Sequence, residues 1–385
     1  MKKACYWSDP NYEPGPTLQE NISTHYLIVG GGVSGLFAAH YLLQKGISDI
    51  VIIEKTTVGS GSTGNSAGML VGDIETSSWS NLTRHYGIDM ASLYATAQRQ
   101  AQHDIVQLIQ GEHISCEFST RDVLITGGNT DAEERLIREF HLRERLGMNP
   151  KILEGSELYD ELNLRSYTIG ECVEKGVSVN PRKFANGVAQ YLRAKGVRIY
   201  ENSPYIQDAH GVAQTPEGTI TFDKIIFAQG TAESSSTLEN YVTTIAVTRP
   251  LSVPEMNELQ IIDKDMFIDD EKRSFHYGKI TEDNRLLVGY GDIKTDRKES
   301  PAPLHSPHLE NIKRFLARTV GPHIPIDYAW SAAYSLSTTP IPYVTIDAHR
   351  ATIGGAGTQV ASVAIASYIT SIMEGKDHAL HALFS

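Results

Sequence analysis

The segment Gly30-Gly31-Gly32-Val33-Ser34-Gly35 has glycine at its first, third and sixth positions, and Glu54-Lys55 closes the apolar run that follows. Such a spacing serves a dinucleotide. The first glycine permits a tight turn, the second lets backbone approach a pyrophosphate, and the third lets a helix pack closely on a strand. The N–H groups at Val33 and Ser34 would open that helix, where free donors and the dipole attract phosphate. A carboxylate at Glu54 accepts hydrogen bonds from ribose hydroxyls and repels a 2′-phosphate, which disfavours NADP. Thr56 to Leu70 is dense in Gly, Ser, Thr and Asn. Its donors at Ser62, Thr63, Ser66, Ala67, Gly68 and Met69 suit a loop wrapped around a pyrophosphate, a ribityl chain and one edge of an isoalloxazine; the bland alternative is a surface loop. A second glycine turn, with Gly355, Gly357 and Thr358, precedes another helical segment.

These groups need elements to hold them. Tyr26 to Val29 is a short apolar run bounded by glycines, as expected of a buried parallel strand. Leu36 to Lys45 reads as a helix stopped by Gly46, and Asp49 to Ile53 as a second strand. Helices are expected from Asp89 to about Gln110, from Asp131 to Leu146 and from Gln359 to Glu374. Ile245 to Leu287 alternates as antiparallel strands do.

The 385 residues suit two domains, or one with an elaborate insertion. A formal net charge of −12 argues against nucleic acid or anionic lipid as a main partner. The three cysteines, Cys5, Cys116 and Cys172, form no CxxC pair and fit a reducing cytoplasm. Met1 to Thr24 has no signal-peptide pattern, and Val360 to Met373 is too short and too rich in Ser and Thr to be an integral membrane segment. His305, His308, His378 and His381 read as surface histidines, and no metal site is expected.

Further segments carry a resemblance. They are Gly61-Ser62-Thr63-Gly64-Asn65-Ser66-Ala67-Gly68, Cys5-Tyr6-Trp7-Ser8-Asp9, Val179-Asn180-Pro181, Val197 to Tyr205, Lys224 to Gly230, Phe275 to Gly289 and Asp327 to Ala332. In this order the chain resembles the D-amino-acid oxidase superfamily of FAD-dependent oxidoreductases, which includes glycine, sarcosine and γ-glutamylputrescine oxidases. The resemblance implies an α/β fold: a Rossmann-type FAD-binding domain plus an α+β substrate domain with an antiparallel sheet. The expected division is a tail at 1–24, a discontinuous FAD-binding domain at 25–80, 150–240 and 325–385, and a substrate domain at 81–149 and 241–324.

It also implies roles. Tyr205 would lie beside the adenine, Ala228 and Gly230 would end a strand at the cofactor, and the helix after Thr358 would aim at the flavin N1–C2=O edge. On the substrate side His276, Tyr277, Lys279 and Tyr334 are the catalytic candidates. His276 and Tyr277 alternate on one strand, so at most one faces the flavin. Lys279 stands where relatives have arginine, Leu287 where sarcosine oxidases have lysine, and Gly64 where the flavin loop has arginine; Arg285 reads as a turn or surface residue. Ala332, Ala333, Tyr334 and Ser335 stand just before the Thr339-Pro340 segment, where some sarcosine oxidases have a flavin-linked cysteine, so FAD should be non-covalent. The expected reaction is oxidation of a C–N bond in a small amine or amino acid, by hydride transfer to flavin N5 giving an imine, with O2 or another electron acceptor. The alternatives are a 2-hydroxy-acid dehydrogenase with His276 as base, and a flavin-bearing subunit or scaffold of a larger complex.

Overall fold

The computed structural model describes residues 1–72, 78–158, 167–233, 235–259, 266–269, 275–298, 301–319 and 324–384. The chain opens with β1 (Ile22–Val29), α1 (Val33–Gln44) and β2 (Ile50–Ile53). After α2 (Ser62–Asn65) and β3 (Met69–Leu70) comes a block of α3 (Trp79–Gly111), β4 (Ser119–Gly127), α4 (Thr130–Arg145), β5 (Lys151–Glu154) and β6 (Ile169–Ser178). Then follow α5 (Pro181–Ala194), β7 (Arg198–Tyr200), β8 (Gln207–Ala209), β9 (Val212–Gln214) and β10 (Thr219–Phe227). A second block holds β11 (Leu238–Thr248), α6 (Val253–Glu258), β12 (Met266–Asp269), β13 (His276–Ile280), β14 (Leu286–Thr295), α7 (Ser306–Thr319) and β15 (Ile326–Ser337). Last are β16 (Tyr343–Ile346), β17 (Arg350–Gly354), α8 (Gln359–Met373) and α9 (His381–Phe384).

The first sheet runs β16-β17-β10-β1-β2-β7, and its core pairs β17-β10-β1-β2-β7 are parallel. Parallel strands are covered on both faces, so their sequences are continuously apolar rather than alternating. On one face Tyr26, Ile28, Ile50 and Ile52 join Phe37, Trp79, Phe184 and Tyr368 of the surrounding helices in one core. On the other, Leu27, Val29, Val51 and Ile53 pack with Ile225, Phe227 and Leu18. The second sheet runs β15-β11-β14-β13-β12-β4-β6-β3 and is antiparallel except where β12 joins β4. Its outer face is sealed by α7, with Leu309, Ile312 and Phe315 on Leu286, Val288 and Ala246.

The structure redraws the expected division of the chain. β5, β6 and β15, placed with the FAD-binding strands by sequence, belong to the second sheet. The long α3, placed with the substrate side, starts ten residues earlier than expected, breaks helical geometry at Gly87, and packs in the first core with Ile105 and Leu108 buried there. An apolar run states that a strand is buried but not which sheet completes its hydrogen bonds. The expected tail at 1–24 is packed against both sheets. Ser23 and Thr24 already pair with β10, and Cys5 and Trp7 are buried with Ile245 and Trp330 of the second sheet. The N–H of Lys2 donates to the Asp327 carbonyl at 2.6 Å. Arg285 closes the turn between β13 and β14, its carbonyl accepting the Thr281 N–H at 2.8 Å, and its partly buried guanidinium donates to Asp283 and to Asp327 at 2.6 and 2.8 Å under the rings of Tyr6 and Tyr328. His308 and His378 are half-buried rather than superficial, against Tyr290 and Tyr368.

Candidate functional site

The turn between β1 and α1 is where the first glycine is needed. Gly30 has φ +118, and a Cβ on it would lie 2.3 Å from the Ala228 carbonyl oxygen. A Cβ on Gly35 would lie 2.1 Å from the Gly30 carbonyl oxygen, so Gly35 serves helix packing and does not line the cavity. The Glu54 carboxylate is pinned at the end of β2. It accepts from the Gly31 N–H at 2.8 Å and from the Thr56 N–H at 3.0 Å.

A cavity of about 1090 Å³ opens at this turn, lined by Gly30, Gly32, Val33, Ser34, Glu54 and Lys55. It continues past Tyr205, Ala228 and Gly230, whose strand ends there, and along Ser62, Thr63, Ser66, Ala67 and Met69 of the polar loop. Gly355, Gly357 and Thr358 bring the start of α8 to the same space. Thr358 caps α8 by accepting the Ala361 N–H at 2.9 Å, leaving the first-turn donors of that helix toward the cavity. Two helix N-termini thus converge on one elongated cleft, and anionic groups are stabilised at such ends. The glycine cradle, the tethered Glu54 and the loop donors fit the size and chemistry of a flavin dinucleotide.

Tryptophans from distant segments clamp the polar loop. The Trp7 indole N–H donates to the Ser66 carbonyl at 2.9 Å, and that of Trp330 donates to the Asn65 carbonyl at 2.8 Å. The Ser62 hydroxyl reaches the Ala333 carbonyl at 2.8 Å, and the Gln359 amide the Ser66 hydroxyl at 2.8 Å. The arginine missing at Gly64 is replaced in space. A Cβ on Gly64 would lie 2.6 Å from Arg182 Nε, so a guanidinium from α5 occupies the place a side chain at 64 would need. Burial lowers the pKa of Arg182, and Cys5, Tyr12 and Glu54 oppose that effect. Cys5 lies under the same loop, its thiol pushed up to about 11 by burial.

The four catalytic candidates separate. Tyr277 and Tyr334 line the cavity on the face of the second sheet, and the Tyr277 and Thr243 hydroxyls are 3.0 Å apart. His276 points the other way. It is buried behind the sheet, stacked on Phe315 with centroids 4.2 Å apart. Lys279 also lies away from the cavity. Its ammonium donates to the carbonyls of Gly68 and Val179 at 2.8 and 2.7 Å and to the Ser178 hydroxyl at 3.0 Å. It holds the backbone of the polar loop, and neither Lys279 nor its acceptor Gly68 lines the cavity. Leu287 is buried among apolar side chains. Sequence reasoning missed Thr243 and Asp292, which also line the cavity. For Asp292 the available signal was the Gly-Asp pair inside an otherwise strand-like run, since glycine within a strand marks a bulge.

Comparison with known proteins agrees with this geometry. Residues 25–361 match the family described as FAD dependent oxidoreductase. The chain is 26% identical over 345 residues to gamma-glutamylputrescine oxidoreductase of Escherichia coli K12, a match covering 86% of this chain and 78% of that protein. It is 22% identical over 353 residues to the putative Rieske 2Fe-2S iron-sulfur protein YhfW of Bacillus subtilis, covering 88% of this chain and 65% of that one. Among solved structures, glycine oxidase from Geobacillus kaustophilus superposes with a TM-score of 0.77 at 17% identity, covering 93% of this chain and 97% of its own.

Proposed function

The chain belongs to the FAD dependent oxidoreductase family, and from that premise we propose that it oxidises the C–N bond of a small amine or amino acid to an imine. FAD is its cofactor. The observation that carries the reading is the single cavity joining the dinucleotide turn to the Tyr277–Thr243–Tyr334 face of the second sheet. The similarity to gamma-glutamylputrescine oxidoreductase supports a C–N substrate.

Bound FAD supplies a two-electron acceptor for hydride from the carbon next to nitrogen. The protein's part is to position and to exclude water. Gly30, Gly32 and the start of α1 would take the pyrophosphate, Glu54 the ribose, and the start of α8 the flavin edge where negative charge develops. Ile245 and Ala332 with the rings of Tyr277 and Tyr334 give a largely apolar floor, which strengthens the electrostatic interactions made above it. None of the three cysteines lines the cavity, which supports non-covalent binding. Free thiols support a cytoplasmic location, and no helix among the described residues is long and apolar enough to cross a membrane. The 2-hydroxy-acid reading loses its base, because His276 faces away from the cavity.

The reading is tested by adding amines, amino acids and 2-hydroxy acids anaerobically to the yellow protein and following absorbance near 450 nm. Bleaching by an amine, with an aldehyde or ketone and the nitrogen product released, is expected. Bleaching by hydroxy acids alone, or by nothing, overturns it, and the latter outcome favours a flavin-bearing scaffold. A second expectation concerns the ribose contact. Glu54→Gln keeps the acceptor to Gly31 but loses the charge, which is worth about 1.5 kcal/mol for a hydrogen bond to an ionised group. FAD titrated into the apoprotein should bind roughly 10-fold more weakly, read by quenching of flavin fluorescence.

A further inference from the structure

Among the described residues, the strand β14 puts a carboxylate into the cavity beside Thr243 and Tyr277, and the strand is interrupted to put it there. β14 and β11 pair Tyr290 with Thr244 and Ile293 with Val242, so Gly291 and Asp292 together oppose the single Thr243. An extra residue of this kind is a β-bulge, a device that re-aims side chains beside active sites. Gly291 takes φ +64, and a Cβ there would lie 2.9 Å from the His308 ring, so glycine is what this position admits. Tyr290 faces outward against His276 and His308. Simple alternation would send Asp292 to that same outer face. The bulge turns it inward instead, to line the cavity beside Thr243, Tyr277 and Tyr334. Its carboxylate accepts a hydrogen bond from Tyr334, while burial raises its pKa above the usual aspartate value. No Lys, Arg or His among the described residues forms an ion pair with it.

We propose that Asp292 is the residue that receives the substrate's amine nitrogen, pairing with it as an ammonium and taking one of its protons before the C–H bond is broken. The proposal rests on the C–N oxidation argued above. In the step one N–H bond breaks and one O–H bond forms on Asp292. The electron pair stays on nitrogen, and nothing is oxidised or reduced. The neutral amine so formed is the better hydride donor. Tyr334 satisfies one lone pair of the carboxylate and leaves others for the substrate. An anionic group such as a hydroxy acid's carboxylate is repelled from the same spot, so the site selects amines carrying at least one N–H.

Among the described residues, the titratable groups beside Asp292 are Tyr334 from β15, Tyr277 from β13, Tyr241 from β11 and Lys298, and the lining of the same cavity also holds Glu139, Arg84, Arg135, Arg138 and Arg143. A raised carboxyl pKa means that the charged form is lost as pH falls through a midpoint above the ordinary value of 3.8. Binding of a cation should weaken through that midpoint.

The experiment uses the FAD-loaded protein and the difference spectrum of its flavin, titrated with n-propylammonium and, in parallel, with neutral n-propanol. Asp292→Asn keeps an acceptor for Tyr334 and should retain flavin. It is expected to bind propylammonium at least 10-fold more weakly, with propanol unchanged and the pH dependence flattened, while Asp292→Glu keeps the preference for the cation. If Asp292→Asn fails to hold flavin, Asp292→Ser is read in its place. Equal propylammonium affinity in wild type and the uncharged variant, or no preference for the cation in wild type, overturns the assignment. A protein that binds propylammonium through Asp292 but is reduced by no amine overturns the proposed reaction alone. Reduction by an amine with the same rate and pH profile in Asp292→Asn overturns the role of Asp292 alone.

Discussion

Gly30→Ala is expected to yield a colourless protein. At φ +118 an alanine is strained, at about 1–3 kcal/mol for a residue held in such a region. Its Cβ would also lie 2.3 Å from the Ala228 carbonyl oxygen, which is backbone of the neighbouring parallel strand. The Ala228 N–H is itself bonded to the Val29 carbonyl at 2.8 Å, so the strand cannot retreat without loosening the β1–β10 ladder. The turn must move, and with it the start of α1. Overpacking of this kind adds roughly 1–3 kcal/mol. Together the two effects correspond to about 3 kcal/mol, or more than 100-fold in FAD affinity. The ratio of flavin to protein absorbance after purification, and FAD titration of the apoprotein, read the loss directly. Retention of stoichiometric FAD at wild-type affinity would mean that the pyrophosphate does not sit on this turn.

Lys279→Met is expected to cost stability rather than chemistry. The side chain is 2% exposed, its ammonium donates three hydrogen bonds, and it lies 5.3 Å from the centre of the Trp7 ring. Methionine fills a similar volume but leaves the Val179 carbonyl and the Ser178 hydroxyl without that donor and releases the Gly68 carbonyl from its tether. Buried acceptors left unpaired cost roughly 1–3 kcal/mol each, so a loss of about 3 kcal/mol is expected in guanidinium denaturation. The pH dependence has a definite sign. Burial holds the ammonium well below the ordinary lysine value of 10.5, so the unfolded chain binds the proton more tightly than the folded one. Wild-type stability therefore gains from Lys279 as pH rises between the depressed folded value and 10.5, and the variant lacks that slope. Unchanged stability with turnover abolished would instead return Lys279 to the chemistry.

Both substitutions fall on residues that sequence alone could name, yet only one could be given its role from sequence. Gly30 sits in a local pattern: strand, turn and helix are contiguous, and the steric demand on the turn follows from the neighbours in the chain. The same locality explains why α1, β2, α8 and the acidic residue after β2 were legible, and why strict alternation on β13 limited His276 and Tyr277 to one inward residue. From sequence Lys279 is a catalytic candidate, a cation standing where relatives have arginine, because its strand and its charge are visible. What was not visible is that its ammonium meets the carbonyls of Gly68 and Val179, which lie far away in sequence.

The sequence by itself determined the dinucleotide turn, the carboxylate that follows it, the polar loop, the second glycine turn, and the family whose order of segments they follow. Each depends on contacts within a few residues, or on apolar runs whose burial is dictated by composition. Tertiary structure alone decided which sheet receives β5, β6 and β15, and that the first residues strap across the second sheet. It decided that Arg182 fills the place left by Gly64, and that a bulge at Gly291 turns Asp292 toward the cavity. Those outcomes depend on hydrogen-bond partners and packing volumes contributed by distant segments, and a one-residue offset in register reverses the face on which a side chain lies.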